Sequence, residues 1–332
     1  MIARRALSSF IALLVLALPA AAQKPRPAPG PQPPAPVSAS GLLRDGVVLD
    51  GGRGVLYGMR PGGGVFAVRL SDGAPLWESD EGARPLALDG STLVVEREGA
   101  GEASTLELAL LDVTDRGRLV GTVEAPLGAP LRTRVDDALG ASFRVQAGAA
   151  AGRATVLWRA EERTVRGAVL EEEAGAGAQP VTQTVGGAAV DLATRTVSPL
   201  DVAVYPEARP LREPAEGLRL PVEGAQYLSA DDRHIATSER VGRDPEWNQY
   251  RWTVREALSG TVVGTFDHPV SIAPFVVAGT TLVLETRPYQ RRVADGSYVQ
   301  QPLALRGIDL ASGRELWMRE LRDVTYYGPY PP

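Results

Sequence analysis

"GIDLASGRELW", residues 307–317, and "AVRLSDGAPLW", residues 67–77, align without a gap, so that Gly313 falls over Gly73 and Trp317 over Trp77. Each copy reads as an apolar strand, polar residues able to bond backbone donors, a glycine free to take a positive φ, and a second strand with a large aromatic four residues on. That order of residues belongs to a tight turn between two neighbouring antiparallel strands. Three weaker copies lie between them: "ALLDVTDRGRLV" from Ala109, "AVDLATRTV" from Ala189 and "VREALSGTVV" from Val254. Their turn positions are Gly117, Arg195 and Gly260. Asp191 and Glu256 are kept before the turn, whereas Pro199 and Gly264 replace the tryptophan.

Successive turn positions are 44, 78, 65 and 53 residues apart. One unit per about 40 to 50 residues is the period of a four-stranded propeller blade. The rest of the chain agrees. "GVLYGM", "STLVVERE", "RHIATSERV", "YRWTVREA" and "GTTLVLETR" are strand-like runs between turn residues, and no Gly- and Pro-free window of about a dozen residues carries helical periodicity. The expected fold is all-β, a β-propeller of five to seven four-stranded blades with degenerate tryptophan-docking repeats. The 78-residue interval leaves open whether residues 126–205 hold one blade with an insertion or two blades, and "ATVLWRAEERTVRGA", residues 154–168, reads as a hairpin within it. The glycine turn joins the third strand to the outer fourth strand, and the tryptophan packs between its own blade and the next. Ala67, Gly73, Trp77, Gly307, Asp309, Ser312, Gly313 and Trp317 are therefore structural docking residues.

This motif resembles the tryptophan-docking repeat of the pyrroloquinoline-quinone (PQQ) dehydrogenase-like propellers, Ala-x-Asp-x-x-Thr-Gly-x-x-x-Trp, over most of residues 41–320. The resemblance implies a propeller but not its chemistry. Quinoprotein dehydrogenases use adjacent cysteines, a calcium held by Glu and Asn, and a catalytic Asp; this chain has no Cys and a single Asn, Asn248. No cofactor and no metal are expected.

Composition narrows the functional classes. The 332 residues carry 35 basic and 40 acidic side chains, a net charge of −5, and Lys24 is the only lysine. A mildly acidic chain without a basic stripe argues against nucleic acid as a partner. The absence of cysteine removes disulfides, thiolate chemistry and Cys-ligated zinc. Residues 1–22 have the layout of a secretory signal: Arg4 and Arg5, the apolar "FIALLVLAL", then Ala20 and Ala22 before the expected cleavage. The alternative is an uncleaved anchor, but the apolar run from Phe10 to Ala22 is 13 residues, short of the ~20 a spanning helix needs. Residues 23–40 form a spacer in which seven of the 14 residues from Gln23 to Pro36 are proline, favouring extended polyproline II. Residues 41–332 are the propeller domain.

Catalytic signatures are missing. His234 and His268 read as surface turn residues, "PGGGV" at 61–65 as a hairpin loop, and "LEEEAGAGAQP" at 170–180 as a solvated loop. Two loops are rich in the aromatic and arginine residues that dominate interfaces. "RVGRDPEWNQYRW", residues 240–252, presents Trp247 and Tyr250; "RPYQRRVADGSYVQQP", residues 287–302, presents Tyr289, Arg291, Arg292 and Tyr298. Both join second to third strands of successive blades and so belong on one face. The tail "RDVTYYGPYPP" either closes the ring along the first blade or stays extended. The sequence thus predicts an exported, periplasmic or secreted, monomeric, non-enzymatic propeller that acts as a protein-binding scaffold of the cell envelope. The competing expectation is an envelope enzyme, a hydrolase or degenerate quinoprotein, with its site in the central funnel.

Overall fold

The computed structural model describes residues 42–97, 101–133, 141–163, 181–206, 211–244, 247–292 and 296–322. The expected signal, the spacer, the acidic stretch 170–180 and the tail from residue 323 lie outside the described residues. Within them there is no α-helix, and no helix long and apolar enough to cross a membrane.

Alternating Val, Leu, Ala and Thr with turn residues every few positions favours short strands that pair with their sequence neighbours. Among the described residues five antiparallel blade sheets result, with one separate two-stranded ribbon. Blade 1 comprises β1 (Leu42–Arg44), β2 (Val47–Asp50), β3 (Val55–Met59), β4 (Val65–Arg69) and β5 (Pro75–Ser79). Blade 2 has β6 (Arg84–Asp89), β7 (Thr92–Glu96), β8 (Glu102–Asp112) and β9 (Arg118–Arg132). Blade 3 has β10 (Ala141–Ala150), β11 (Arg153–Arg163), β12 (Val181–Asp191) and β13 (Val197–Leu200). Blade 4 has β14 (Gln226–Leu228), β15 (His234–Asp244), β16 (Trp247–Glu256) and β17 (Val262–His268). Blade 5 starts with β18 (Phe275–Ala278) and β19 (Thr281–Thr286), is interrupted by the ribbon β20 (Tyr289–Arg292) and β21 (Tyr298–Gln301), and resumes with β22 (Ala304–Asp309) and β23 (Glu315–Glu320). The described residues form a five-bladed β-propeller.

Of the two arrangements left open for residues 126–205, the described residues show one blade: they contain the end of β9 and the whole of blade 3, with residues 164–180, outside the described residues, between β11 and β12. Residues 154–163, expected as part of a hairpin, run as one strand paired along its length with both β10 and β12.

The five repeats coincide with the five turns into the outer strands. The amide N–H at each turn position bonds back across the turn: Gly73 to Arg69 O at 2.8 Å, Gly117 to Asp112 O at 2.9 Å, Arg195 to Asp191 O at 2.8 Å, Gly260 to Glu256 O at 2.9 Å and Gly313 to Asp309 O at 2.7 Å. All five have positive φ, from 59° to 72°. Asp309 accepts the Ser312 N–H at 3.0 Å, and Asp191 accepts the Thr194 N–H at 2.8 Å, the role expected of the polar residue before the turn.

The aromatic explains both small residues of the motif. Trp317 stands opposite Gly307 in its own sheet, where an added Cβ would come within 2.3 Å of the indole. It also lies on Gly73 of blade 1, where a Cβ would come within 2.5 Å. Trp77 repeats this with Ala67 beside it and Gly117 of blade 2 beneath it, again at 2.5 Å from a would-be Cβ. The weak repeats use substitutes. At the blade 4–5 seam Phe266 covers Gly313, and Gly264, at the tryptophan's own position, makes room for Leu310. At the blade 2–3 seam the roles are exchanged: the turn carries Arg195 and the strand carries Gly121, whose Cβ would fall 2.7 Å from the guanidinium.

Apolar clusters bridge four of the five seams, for example Leu108 and Val123 with Phe143 and Trp158, and Trp252 and Phe266 with Phe275 and Leu282. Between blades 3 and 4 no such cluster occurs among the described residues; residues 201–206 and 211–225 lie there instead. Their Leu220 approaches Gly260 at 3.4 Å from a would-be Cβ, and their Arg212 bridges to Leu228.

Trp317 is 8% exposed, so Trp317→Ala should cost about 3–5 kcal/mol, read from the urea midpoint. Trp77→Ala, at a half-buried site, should cost less. Gly121→Trp alone should destabilise strongly by collision with Arg195, and adding Arg195→Gly should recover much of the loss, a coupling measurable in a double-mutant cycle.

Candidate partner-binding face

In an antiparallel meander, turns alternate between the two ends of the sheet. The second-to-third-strand connections therefore share one end of the ring with the blade-to-blade connections. At that end blade 1 has a compact turn, Arg60–Gly64, closed by the Arg60 N–H to Gly64 O bond at 3.0 Å; this is the hairpin loop expected of "PGGGV". The other four blades rise above it. β17 pairs only with residues 250–255 of β16, and β14 only opposite residues 235–237 of β15, so the hairpin beyond Tyr250 continues as two strands to the Asp244–Trp247 pair. In blade 5, β20 and β21 form a separate two-stranded ribbon above β19 and β22. In blade 3, β13 pairs only with residues 187–190, leaving residues 181–186 of β12 without a fourth strand. In blade 2, β8 and β9 pair as far as Glu102–Arg132.

Both aromatic-rich loops are strand hairpins at this end of the ring. Tyr298 is 62% exposed at the start of β21. Tyr289, Arg291 and Arg292 lie along β20, with Arg292 in register with Tyr298, and Trp247 opens β16. Tyr250 is a correction. It is half-buried at the base of its ribbon and packs against the core cluster of blades 4 and 5, so it supports the hairpin instead of tipping it. Trp252 is fully buried, stacks with Phe266 at 5.7 Å and donates its indole N–H to Val270 O at 2.8 Å.

The two histidines are less exposed than expected, and His268 lies in a strand and not in a turn. His234 opens β15 half-buried, and His268 ends β17 in register with Tyr250, its Nδ1 accepting the Val270 N–H at 3.2 Å. Burial, with the positive charge of Arg306 adding to it, pushes the His268 imidazole down to about 4. Burial also lowers His234, against the opposing charges of Asp231 and Glu256.

A polar cluster at the same end escaped the sequence reading. Tyr205, buried, lies under the Arg159 guanidinium at 5.2 Å, and Gln146 holds the neighbouring Pro206 carbonyl at 2.7 Å. Arg84 meets Glu96 at 3.2 Å and Arg159 meets Glu161 at 3.3 Å. Burial raises the Tyr205 hydroxyl far above the usual phenol range; Asp45 raises it further, against the charges of Arg159, Arg144 and Arg84. Asp45, Arg84 and Arg144 belong to the inner edges of blades 1, 2 and 3, which places the cluster at the mouth of the central channel. It opposes three arginines to three carboxylates around a neutral phenol, an arrangement suited to anchoring the strap formed by residues 201–206. Among the described residues no three His, Asp or Glu side chains group as a metal site would require.

No protein-family model matches this chain, and no curated protein is similar enough in sequence to count as a relative. Among solved structures it is similar to the WD40 domain of Neurospora crassa Pan2, at 10% identity and a TM-score of 0.27, covering 80% of this chain and 62% of that domain. It is also similar to the β-propeller domain of Myceliophteria thermophila Cps50 (11% identity, 84% and 87% covered, TM-score 0.26). A europium-containing methanol dehydrogenase is a third (13% identity, 83% and 68% covered, TM-score 0.23). The chain thus spans less than two thirds of the Pan2 domain.

The histidine at the base of the blade 4 ribbon predicts a pH dependence. Unfolded, its imidazole protonates near 6.5; folded, only near 4. Between these values the unfolded chain binds more protons, so stability is lost as pH falls through 6.5. From pH 7 to pH 5 the loss should be about 2 kcal/mol, and urea midpoints of a His268→Gln variant should show a smaller change over the same range.

Proposed function

We propose that this protein is an exported propeller of the PQQ-like, tryptophan-docking kind that works without a cofactor as a protein-binding scaffold of the cell envelope. The observation that carries this reading is the crown of hairpins at one end of the ring. Two-stranded ribbons are marginal in water by themselves and leave backbone donors and acceptors along both edges. A ring that spends chain on such ribbons, with Tyr298 exposed on one of them, has the geometry for strand-edge and aromatic contacts to a partner. Export rests on residues 1–22 and standoff on the proline-rich spacer; in this reading the mature chain acts as a monomer and binds no nucleic acid.

An enzyme working in the funnel is the second reading, favoured by one observation: the convergence of Arg84, Arg159, Glu96 and Glu161 at the channel mouth. These charges are engaged with one another and with the strap, which favours an anchoring role.

Tagged mature protein should recover a specific partner from envelope extracts. Trp247→Ala, Tyr298→Ala and the pair Arg291→Ala with Arg292→Ala should abolish that recovery while circular dichroism and melting stay unchanged, because hairpin tips contribute little to the core. Recovery that persists in all of them would overturn the proposed face. The exported protein should begin at Gln23 by N-terminal sequencing. Added PQQ with Ca²⁺ should leave Tm in place; a saturable rise of several degrees would overturn the non-enzymatic reading.

A further inference from the structure

The ribbon of blade 4 has its hinge at one row of residues. Arg240, Tyr250 and His268 stand side by side on β15, β16 and β17. β17 ends with His268, so the sheet has its outer strand up to this row, and beyond it the hairpin continues as two strands. His268 Nδ1 accepts the Val270 N–H at 3.2 Å, and the Val270 carbonyl accepts the Trp252 indole N–H at 2.8 Å. The imidazole stands edge-on to Phe266, with ring centroids 6.4 Å apart. One ring nitrogen therefore ties the exit from β17 to the base of the ribbon, and through Val270 to the buried indole.

That nitrogen accepts only while it carries no proton; protonated, it becomes a second donor facing the Val270 N–H. The surrounding groups give the charged ring little support. On blade 4, the Tyr250 hydroxyl oxygen takes the Asn248 side-chain N–H at 3.4 Å, and exposed Arg240 lies two strand spacings away, about 10 Å. Strand alternation turns Asp267 to the opposite face, where Arg251 holds it at 2.8 and 3.0 Å. The connection 269–274 has no ionisable side chain. On blade 5, Leu282 and Leu284 pack with Trp252 and Phe266, so Thr286 and Arg306 share their side, while Glu285 falls on the blade 1 side with Val283 and Leu305. Glu315 is bonded to Arg306, and Glu320 stands exposed at the end of β23.

Burial and the charge of Arg306 thus both oppose a proton on the seated ring, holding it down to about 4. A ring turned out into water escapes both and protonates near 6.5. Acid therefore favours the turned-out position, and leaving costs the bond to Val270. The corner at 268–270 is then untied at the row from which the ribbon rises.

We propose that His268 is an acid-sensitive latch at the hinge of the blade 4 ribbon: neutral, it clamps the 268–270 corner beside Tyr250, and protonated, it swings out and frees the ribbon base from blade 5. The latch stands apart from the partner-binding reading, because its test reads the ribbon itself. Hydrogen exchange of the intact protein, corrected for the intrinsic pH dependence of amide exchange, measures the opening. With the seated ring protonating near 4 and the released ring near 6.5, the open form should become about 20-fold more populated between pH 7 and pH 5. Amides of residues 248–252 and 266–270 should lose protection by that factor, while residues 92–96 of blade 2 keep theirs. His268→Gln, whose side-chain oxygen accepts the same N–H without charge, should hold its protection over this range. His268→Lys, charged at both pH values, should exchange fast already at pH 7. NMR titration, simple to assign in a chain with two histidines, should place the native His268 imidazole near 4. Unchanged protection in the parent protein, an equal loss in blade 2, a loss that persists in His268→Gln, slow exchange in His268→Lys at pH 7, or an imidazole titrating near 6.5 would each overturn the proposal.

Discussion

A bulky side chain of one blade lying on the bare backbone turn of the next is the contact on which this molecule rests. A propeller blade alone cannot bury its faces, and in a chain without cysteine, hence without disulfides, it takes its cover from its neighbours. The tryptophan of an outer strand meets the requirement because its flat area can be sandwiched: Gly307 on one side of Trp317, Gly73 on the other. That sandwich demands two small residues, and the positive φ of the turn independently favours glycine at one of them. Local backbone conformation and long-range packing thus select the same residue, the agreement between levels that makes a fold unambiguous.

Where the tryptophan is lost, the seam is rebuilt by different means, and the geometry of the binding end follows. Blade 3 turns its apolar side, Phe143, Val145 and Trp158, toward blade 2. Its other side carries Gln146, Arg159 and Glu161 and is covered by the strap at residues 201–206, with Tyr205 as the buried ring. The same segment brings Leu220 to Gly260. One long connection therefore replaces an aromatic lock, packs a polar sheet face and lines the channel mouth from which the ribbons of blades 3 and 4 rise.

The turns were legible in the sequence because their requirement is local: Asp or Glu before, a residue able to take positive φ after, even when that residue is Arg195. The locks of the weak repeats were not, because Phe266 stands two residues beyond the tryptophan position and the Gly121–Arg195 exchange becomes visible only across a seam. Blade number was bracketed but not set, since a 78-residue interval between turns is long enough to hold either one blade with added length or two blades. Pro269 suggested a turn at His268, yet β17 extends to that residue and Phe266 and Arg306 close around it. Among the candidate contact residues, Tyr298 is exposed on its ribbon, while Tyr250, only a few positions from a hairpin tip, faces the core because strand alternation turns it inward.

The exchange of Gly121 and Arg195 also bears on how the ring assembles in the right order. A chain of similar repeats risks docking a blade on the wrong neighbour during folding. An outer strand with a tryptophan cannot sit on a turn that already carries an arginine, and a strand with glycine leaves a void on a turn that is also glycine. The dissimilar joints act as keyed fittings, each excluding its rivals by collision or by emptiness. The degeneracy that weakens the repeat as a pattern is thus a source of addressing, assigning each blade to a single place in the circle.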